Sequence, residues 1–147
     1  MKYSTKLGDA VLILVYLALS PADSLTSDKI AEDVSVSPAC VRQLMSSLRK
    51  GGIITSVKGH PRPDLAREPC CITLLQIYRA VEGEKPLFYQ NTHINPADSR
   101  SIHLQAALQD CYRQIQQRTE EEMDRITLQT VLERYRARLE RLHASAF

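Results

Sequence analysis

The first third of the chain alternates apolar faces with short polar interruptions, and the spacing predicts three helices in succession. Ala10 to Leu19 is an unbroken apolar run, and Ser20-Pro21-Ala22-Asp23 stops it. A first helix is predicted from about Thr5 to Leu19. Either Thr26 or Ser27 can cap a second, short helix with acids in its first turn and Ile30 and Ala31 facing inward. Val34-Ser35-Val36 is a tight connection. Ser37-Pro38 is a strong start signal, because serine caps and proline tolerates the first helical position. Val41, Leu44, Met45 and Leu48 then recur at i, i+3, i+4, i+7, the stripe of a third helix that reaches Lys50 and ends at Gly51-Gly52.

Beyond the glycines the period changes. Ile53-Ile54-Thr55-Ser56-Val57 is β-branched and short, and reads as a strand. A turn-rich loop, Lys58 to Asp64, returns the chain through Leu65-Ala66-Arg67 as the second strand of a hairpin. Cys71-Ile72-Thr73 leads into a helix from Leu74 to Val81, ended by Gly83. Glu84 to Ser99 has no periodicity and contains Pro86, Asn95 and Pro96, so it reads as a long loop of functional length. Leu104, Leu108, Cys111 and Ile115 mark one face of a longer helix reaching about Met123. Thr127 caps a last helix striped by Leu128, Val131, Leu132, Tyr135, Leu139 and Leu142. The predicted organisation is a unit of helices and hairpin over residues 1–83, a connecting loop over 84–99 and long helices over 100–147. The fold class is mainly α with a small β-hairpin wing.

Composition narrows the classes. Across 147 residues, 44% are hydrophobic and 24% charged, which excludes a wholly disordered or collagen-like chain. Trp is absent, and two Phe with six Tyr are too few for a base-stacking platform. The net charge of +2 announces nothing by itself, but its distribution does. Between Ser37 and Arg67 stand Arg42, Arg49, Lys50, Lys58, Arg62 and Arg67 against the single acid Asp64. That concentration is expected of a phosphate-facing surface, although a solvated basic face would look the same on charge alone. The run after Lys2 and Lys6 imitates the core of a secretion signal. Asp9 at its start, Pro21 after the only small-residue cleavage site, and its use as a wall for the next helices make a buried helix the better reading. A cytoplasmic protein with reduced thiols is expected.

Helix, short helix, turn, capped helix and hairpin is the winged helix-turn-helix order, which presents the third helix to a major groove. Ser37, Ala39, Cys40, Arg42, Gln43, Ser46, Ser47 and Arg49 occupy the outward face. Glutamine can pair bidentately with adenine, and arginine with guanine or phosphate. Lys58, His60 and Arg62 at the hairpin tip are placed for an adjacent groove or the backbone. The expected partner is double-stranded DNA.

The chain also resembles the Rrf2 family of bacterial winged-helix transcription regulators. The resemblance lies in Met1-Lys2-Tyr3-Ser4-Thr5-Lys6, in Ile30-Ala31-Glu32, in Arg42-Gln43-Leu44-Met45-Ser46-Ser47-Leu48-Arg49-Lys50-Gly51-Gly52-Ile53-Ile54, in Ser56-Val57-Lys58-Gly59 and in Ile72 through Gly83. It implies a homodimer built by the long C-terminal helices and a roughly palindromic operator, probed by the third helix, by the wing, and by Lys2 and Thr5 at the start of the first helix. The implied dimer residues are Leu104, Leu108, Cys111, Ile115, Val131, Leu132, Tyr135 and Leu139. The segment Ile77 to Pro96 is most similar to the branch lacking an iron–sulfur cluster. Two departures stand out. The family's consecutive wing glycines are replaced by His60-Pro61-Arg62-Pro63-Asp64, which points Arg62 at phosphate, and Cys40 occupies a tyrosine-like position of the third helix.

No metal or cofactor is expected, because the loop that holds three cysteines in cluster-bearing relatives has none here, and His93 alone does not hold a cluster. Cys40 and Cys111 are candidate redox-sensing thiols, weighed against a neutral contact residue and a packed dimer core. Cys70-Cys71 are expected to pack the hairpin on the next helix. His60, His93, His103 and His143 are scattered, and no enzyme motif is present. The expected function is a sequence-specific, homodimeric transcription regulator of the repressor type, answering to a small molecule or an oxidant. The alternative is a dimeric protein-interaction domain that has lost DNA binding. A secreted disulfide protein is the third class.

Overall fold

The computed structural model describes residues 4–20, 26–56, 63–90 and 97–145. Six helices and one hairpin follow one another in this part of the chain: α1 (Lys6–Leu19), α2 (Ser27–Val34), α3 (Pro38–Lys50), β1 (Ile54–Ser56), β2 (Pro63–Leu65), a 3-10 turn (Pro69–Cys71), α4 (Leu74–Glu82), α5 (Ser99–Arg125) and α6 (Leu128–Ser145).

The core forms where the periodicity places it. Ala10, Ile13, Leu14 and Leu17 of α1, Ile30 and Ala31 of α2, and Val41, Leu44, Met45 and Leu48 of α3 are buried together. Ile53, Ile54, Ile72, Ile77 and Val81 close the cluster from the hairpin and α4. Caps delimit the helices. Thr26 accepts from the Lys29 N–H at 3.2 Å, and Ser37 accepts from the Cys40 N–H at 3.2 Å. Thr73 and Gln76 form a reciprocal capping box at the start of α4. α2 runs through Val34, and Ser35 ends it in the left-handed region at φ 57°. Gly51 is required by proximity: a Cβ there would lie 2.7 Å from the Ala80 Cβ, so α3 ends directly against α4.

Strand β2 occupies Pro63–Leu65 rather than Leu65–Arg67, with Ile54 opposite Leu65, Thr55 opposite Asp64 and Ser56 opposite Pro63. Proline fits the first residue of a strand, where its missing N–H costs least. Arg67 is drawn out of the hairpin by three acceptors. Its Nε donates to the Cys71 carbonyl at 3.3 Å, one terminal nitrogen to the Gly52 carbonyl at 3.1 Å, and the other to Gln76 Oε1 at 3.2 Å.

The long helices behave differently from each other. α5 is capped by Asp98, which accepts from the Arg100 N–H at 3.0 Å, and none of its residues is buried. α6 starts inside the core. The Leu74 N–H donates to the Ile126 carbonyl and the Leu128 N–H to the Ile72 carbonyl, both at 2.8 Å, joining the entries of α4 and α6 as an antiparallel bridge. The first turns of α6 pack on α1 and on the 3-10 turn. Leu128 is 0% exposed and Leu132 3%. This corrects the expected dimer assignment of Leu132: the bridge holds the opening turns of α6 against the protein's own core, and a partner cannot reach that side chain. Residues 1–83 accordingly lack part of the core that covers them. Among the described residues, no helix is long and apolar enough to cross a membrane.

Candidate nucleic-acid interface

Burial on α3 divides its side chains into two faces. Val41, Leu44, Met45 and Leu48 turn inward, while Ser37, Ala39, Arg42, Gln43 and Arg49 are exposed. Ser46 and Ser47 are half-buried at the margins. Cys40 also sits at a margin, half-buried and packed against the core, so its thiol is less available to a groove than its neighbours. Pro38 and the Ser37 cap fix where the helix begins. Ser37, Ala39, Arg42 and Gln43 therefore lie near a helix N-terminus, whose partial positive charge favours phosphate.

Arg42 faces Asp28 of α2 at 3.8 Å, with both side chains mostly exposed. Such a pair contributes at most about 1 kcal/mol, so the guanidinium can exchange Asp28 for a stronger anion at small cost. Arg49 and Lys50 occupy the last turn, where they complement the helix dipole. Thr5 is exposed and its hydroxyl donates to Asp9 at 3.0 Å. The adjacent Ser4 hydroxyl is hydrogen-bonded to the Glu82 carboxylate, which fastens the start of α1 to the end of α4. Lys2, Lys58, His60 and Arg62 lie outside the described residues, and so does the wing tip.

Two supports of this surface were not foreseen. The Tyr16 hydroxyl donates to Asp33, and Lys29 Nζ reaches the other Asp33 oxygen at 3.2 Å. The Tyr16 hydrogen bond, then Lys29, holds the Asp33 carboxyl below the usual carboxylate range. The same contacts with Asp33 push Tyr16 and Lys29 up. This network ties α1 to α2, the helix that braces α3. Lys29 and Asp33 are a legible i, i+4 pair, but Tyr16 was hidden in an apolar run. Arg67 is the second support. Its charge counted toward the basic segment, yet it spends its donors on internal acceptors, and no spacing rule signals that.

The apolar stripe of α5 is open. Leu104 is 72% exposed, Leu108 and Ile115 are each 44%, and Cys111 is exposed between them. On α6, Tyr135 and Leu139 are exposed and Val131 is half-buried. Cys70 and Cys71 do not pack the hairpin against α4 as expected. Both are exposed, on the outer side of the 3-10 turn, with their sulfurs 3.7 Å apart. The Cys71 thiol pushes the Cys70 thiol up. A cleft of about 580 Å³ opens between α4, α5 and the segment after Gly83, lined by Tyr78, Arg79, Glu84, Lys85, Gln116 and Glu120. Arg79 faces Glu120 at 3.8 Å across it. The Tyr78 hydroxyl donates to the Lys85 carbonyl at 2.7 Å, and burial pushes that phenol up.

Residues 3–134 match the family described as "Rrf2: Iron-dependent Transcriptional regulator". YwnA of Bacillus subtilis (strain 168), which carries an HTH-type regulator name, is 32% identical over 123 residues, covering 84% of this chain and 92% of YwnA. The structure of CymR, the global cysteine regulator of B. subtilis, superposes with a TM-score of 0.64 at 26% identity, covering 89% of this chain and 95% of CymR. IscR of T. potens superposes with a TM-score of 0.65, also at 26% identity, over 92% of this chain and 88% of that one.

The family description names iron, so the donor set matters. Iron–sulfur clusters are held chiefly by cysteine thiolates. Here the loop from Glu84 to Ser99 contains no cysteine. Cys40 sits on α3, Cys70 and Cys71 on the 3-10 turn and Cys111 within α5. Among the described residues, no three His, Cys, Asp or Glu side chains converge. Among the described residues, the donor set does not fit an iron–sulfur cluster.

Proposed function

The chain belongs to the Rrf2 family of transcriptional regulators, and from that premise we propose that it works as a homodimeric repressor on a roughly palindromic operator. It is a DNA-binding regulator and not an enzyme. The observation that carries the finer reading is the division of α3. An apolar face locks the helix into the core, and Ser37, Arg42, Gln43 and Arg49 are left facing out beside a helix start. In this reading Gln43 reads a base edge, Arg42 and Arg49 engage base or phosphate, and the wing residues Lys58, His60 and Arg62 add backbone contacts.

The uncovered stripe on α5 supports a two-fold partner. A helix without one buried residue, carrying Ile102, Leu104, Leu108 and Ile115 outward, supports the reading of this face as half of an interface. Two α3 helices in such a dimer would address half-sites about 34–36 Å apart. The signal is assigned to the cleft beside α4 and α5, whose rim is the start of the connecting loop. In this reading the protein works in the cytoplasm, where a bacterial regulator meets its operator.

The test is recovery of bound fragments from genomic DNA, followed by salt titration on the preferred duplex. Log affinity should fall against log salt by about 0.9 per phosphate contacted. Arg49→Ala should flatten that slope while leaving the preferred sequence intact. Duplex binding that is absent, or insensitive to salt, favours the protein-interaction reading instead.

A further inference from the structure

Cys70 and Cys71 are neighbours in sequence, and neighbouring side chains ordinarily diverge. The 3-10 turn opened by Pro69 brings both thiols to one exposed side, 3.7 Å apart. A disulfide is a poor use of this pair. Adjacent Cα atoms are about 3.8 Å apart, shorter than the roughly 4.4–6.8 Å that disulfides span. A single thiophilic atom is a better use, because two exposed sulfurs 3.7 Å apart can both reach one centre placed between them. Zinc would need two more protein ligands, and no third His, Cys, Asp or Glu joins the pair among the described residues. The centre that fits is pyramidal, takes two thiolates and brings its third substituent with it. Trivalent arsenic has that chemistry.

We propose that Cys70 and Cys71 form a dithiol site for one trivalent arsenic centre, and that Arg67 transmits its occupancy to the end of α3. With arsenous acid, two S–As bonds form, two As–OH groups leave as water with the two thiol protons, and one hydroxyl stays on arsenic. No electrons are transferred, so no oxidant is required. Arg67 holds the Cys71 carbonyl, the Gly52 carbonyl just beyond α3 and the Gln76 side chain of the α4 cap in one fork. Closing a ring through both sulfurs fixes the turn that carries the first of these acceptors.

The probe is phenylarsine oxide, which gives two S–As bonds and releases one water. Reduced wild-type protein should bind one equivalent and lose two free thiols, read by intact mass and thiol titration. Cys70→Ser or Cys71→Ser should weaken binding by roughly 10²–10⁴-fold, because the second thiol acts at a high effective concentration. A Cys40→Ser, Cys111→Ser double variant should bind as wild type. A small dithiol should strip the adduct where excess monothiol does not. Equal binding by Cys70→Ser, or one thiol lost per arsenical, overturns the site.

The transmission half rests on the DNA-binding reading. One equivalent of phenylarsine oxide should change duplex affinity by about 5–150-fold in the wild type and not in Cys71→Ser. Amide exchange at 51–53 and 73–76 reports the same coupling without DNA. An occupied pair with unaltered exchange and affinity overturns the role of Arg67 and leaves the site standing. If the protein binds no duplex at all, the DNA reading fails while the thiol count still decides the site.

Discussion

The winged head and the α5 helix are built from the same apolar residues at the same helical spacing, and they end in opposite environments. In α1 and α3 every stripe position is buried by another part of the same chain. In α5 the stripe is exposed along its whole length, with Leu104 the most open. α6 contains both outcomes in one helix: Leu128 and Leu132 enter the core, and Leu139 and Leu142 stand in solvent. A period identifies which face is apolar. What covers that face is set by where the helix is anchored, and here the anchor is the backbone bridge at Thr127.

The contrast breaks most visibly at the boundary inside α6. Leu128→Ala or Leu132→Ala should cost about 2–5 kcal/mol in urea unfolding, as deletions in a packed core do. The loss should not depend on protein concentration, as it would for an interface residue. On the open stripe, Leu108→Asp should weaken self-association by about 2–4 kcal/mol while the head keeps its circular dichroism. Sedimentation equilibrium reads the first and a thermal scan the second, and a wild type that is monomeric at micromolar concentration would sink the proposed dimer. Next in size is Gln43→Ala, expected to remove about 1–3 kcal/mol of discrimination at one base pair per half-site, read by competition binding with substituted duplexes. Ser37→Ala should lower stability by about 1 kcal/mol through loss of the α3 cap.

The smallest effect sharpens the head itself. Asp33 is held below its ordinary range by Tyr16 and Lys29. Its contribution is complete above the pKa it has when unfolded and fades as pH falls through the lower folded value. Asp33→Asn should therefore flatten the acid limb of stability against pH, while leaving the neutral-to-basic side nearly parallel to wild type. An unchanged acid limb would remove the network from the list of supports.

The head was readable because each of its signals is local. Ser37-Pro38 marks the start of α3, and Gly51-Gly52 its end, within a few residues of the stripe they delimit. The outward position of Arg42 and Gln43 follows from helical geometry alone. Features that depend on distant partners were not readable. Leu132 has the spacing of Leu139, and only the meeting of Ile72 with Leu128 separates their fates. Arg67 looks like another surface cation until three acceptors from different elements converge on it. Cys40 has the spacing of a contact residue, yet it lies where the outward and inward faces of α3 meet, and the core takes part of it. The Cys70-Cys71 pair was misplaced because the 3-10 turn beneath it spans three residues, too few to leave a period.

The bridge between Thr73 and Thr127 has a consequence for the order in which the protein can be made. Its two partners stand 54 residues apart, one in the middle of the chain and one near its end, and the head's core is complete only when Leu128 has arrived. At about 5–20 residues per second, a ribosome that has finished α4 translates for several more seconds before that leucine is available. During this interval the surface of α1 and of the 3-10 turn that α6 will cover stays open, and non-local closure of this kind is slow once it begins. Slow codons placed between Glu84 and Thr127 would lengthen this exposure more than the same codons placed after Leu132.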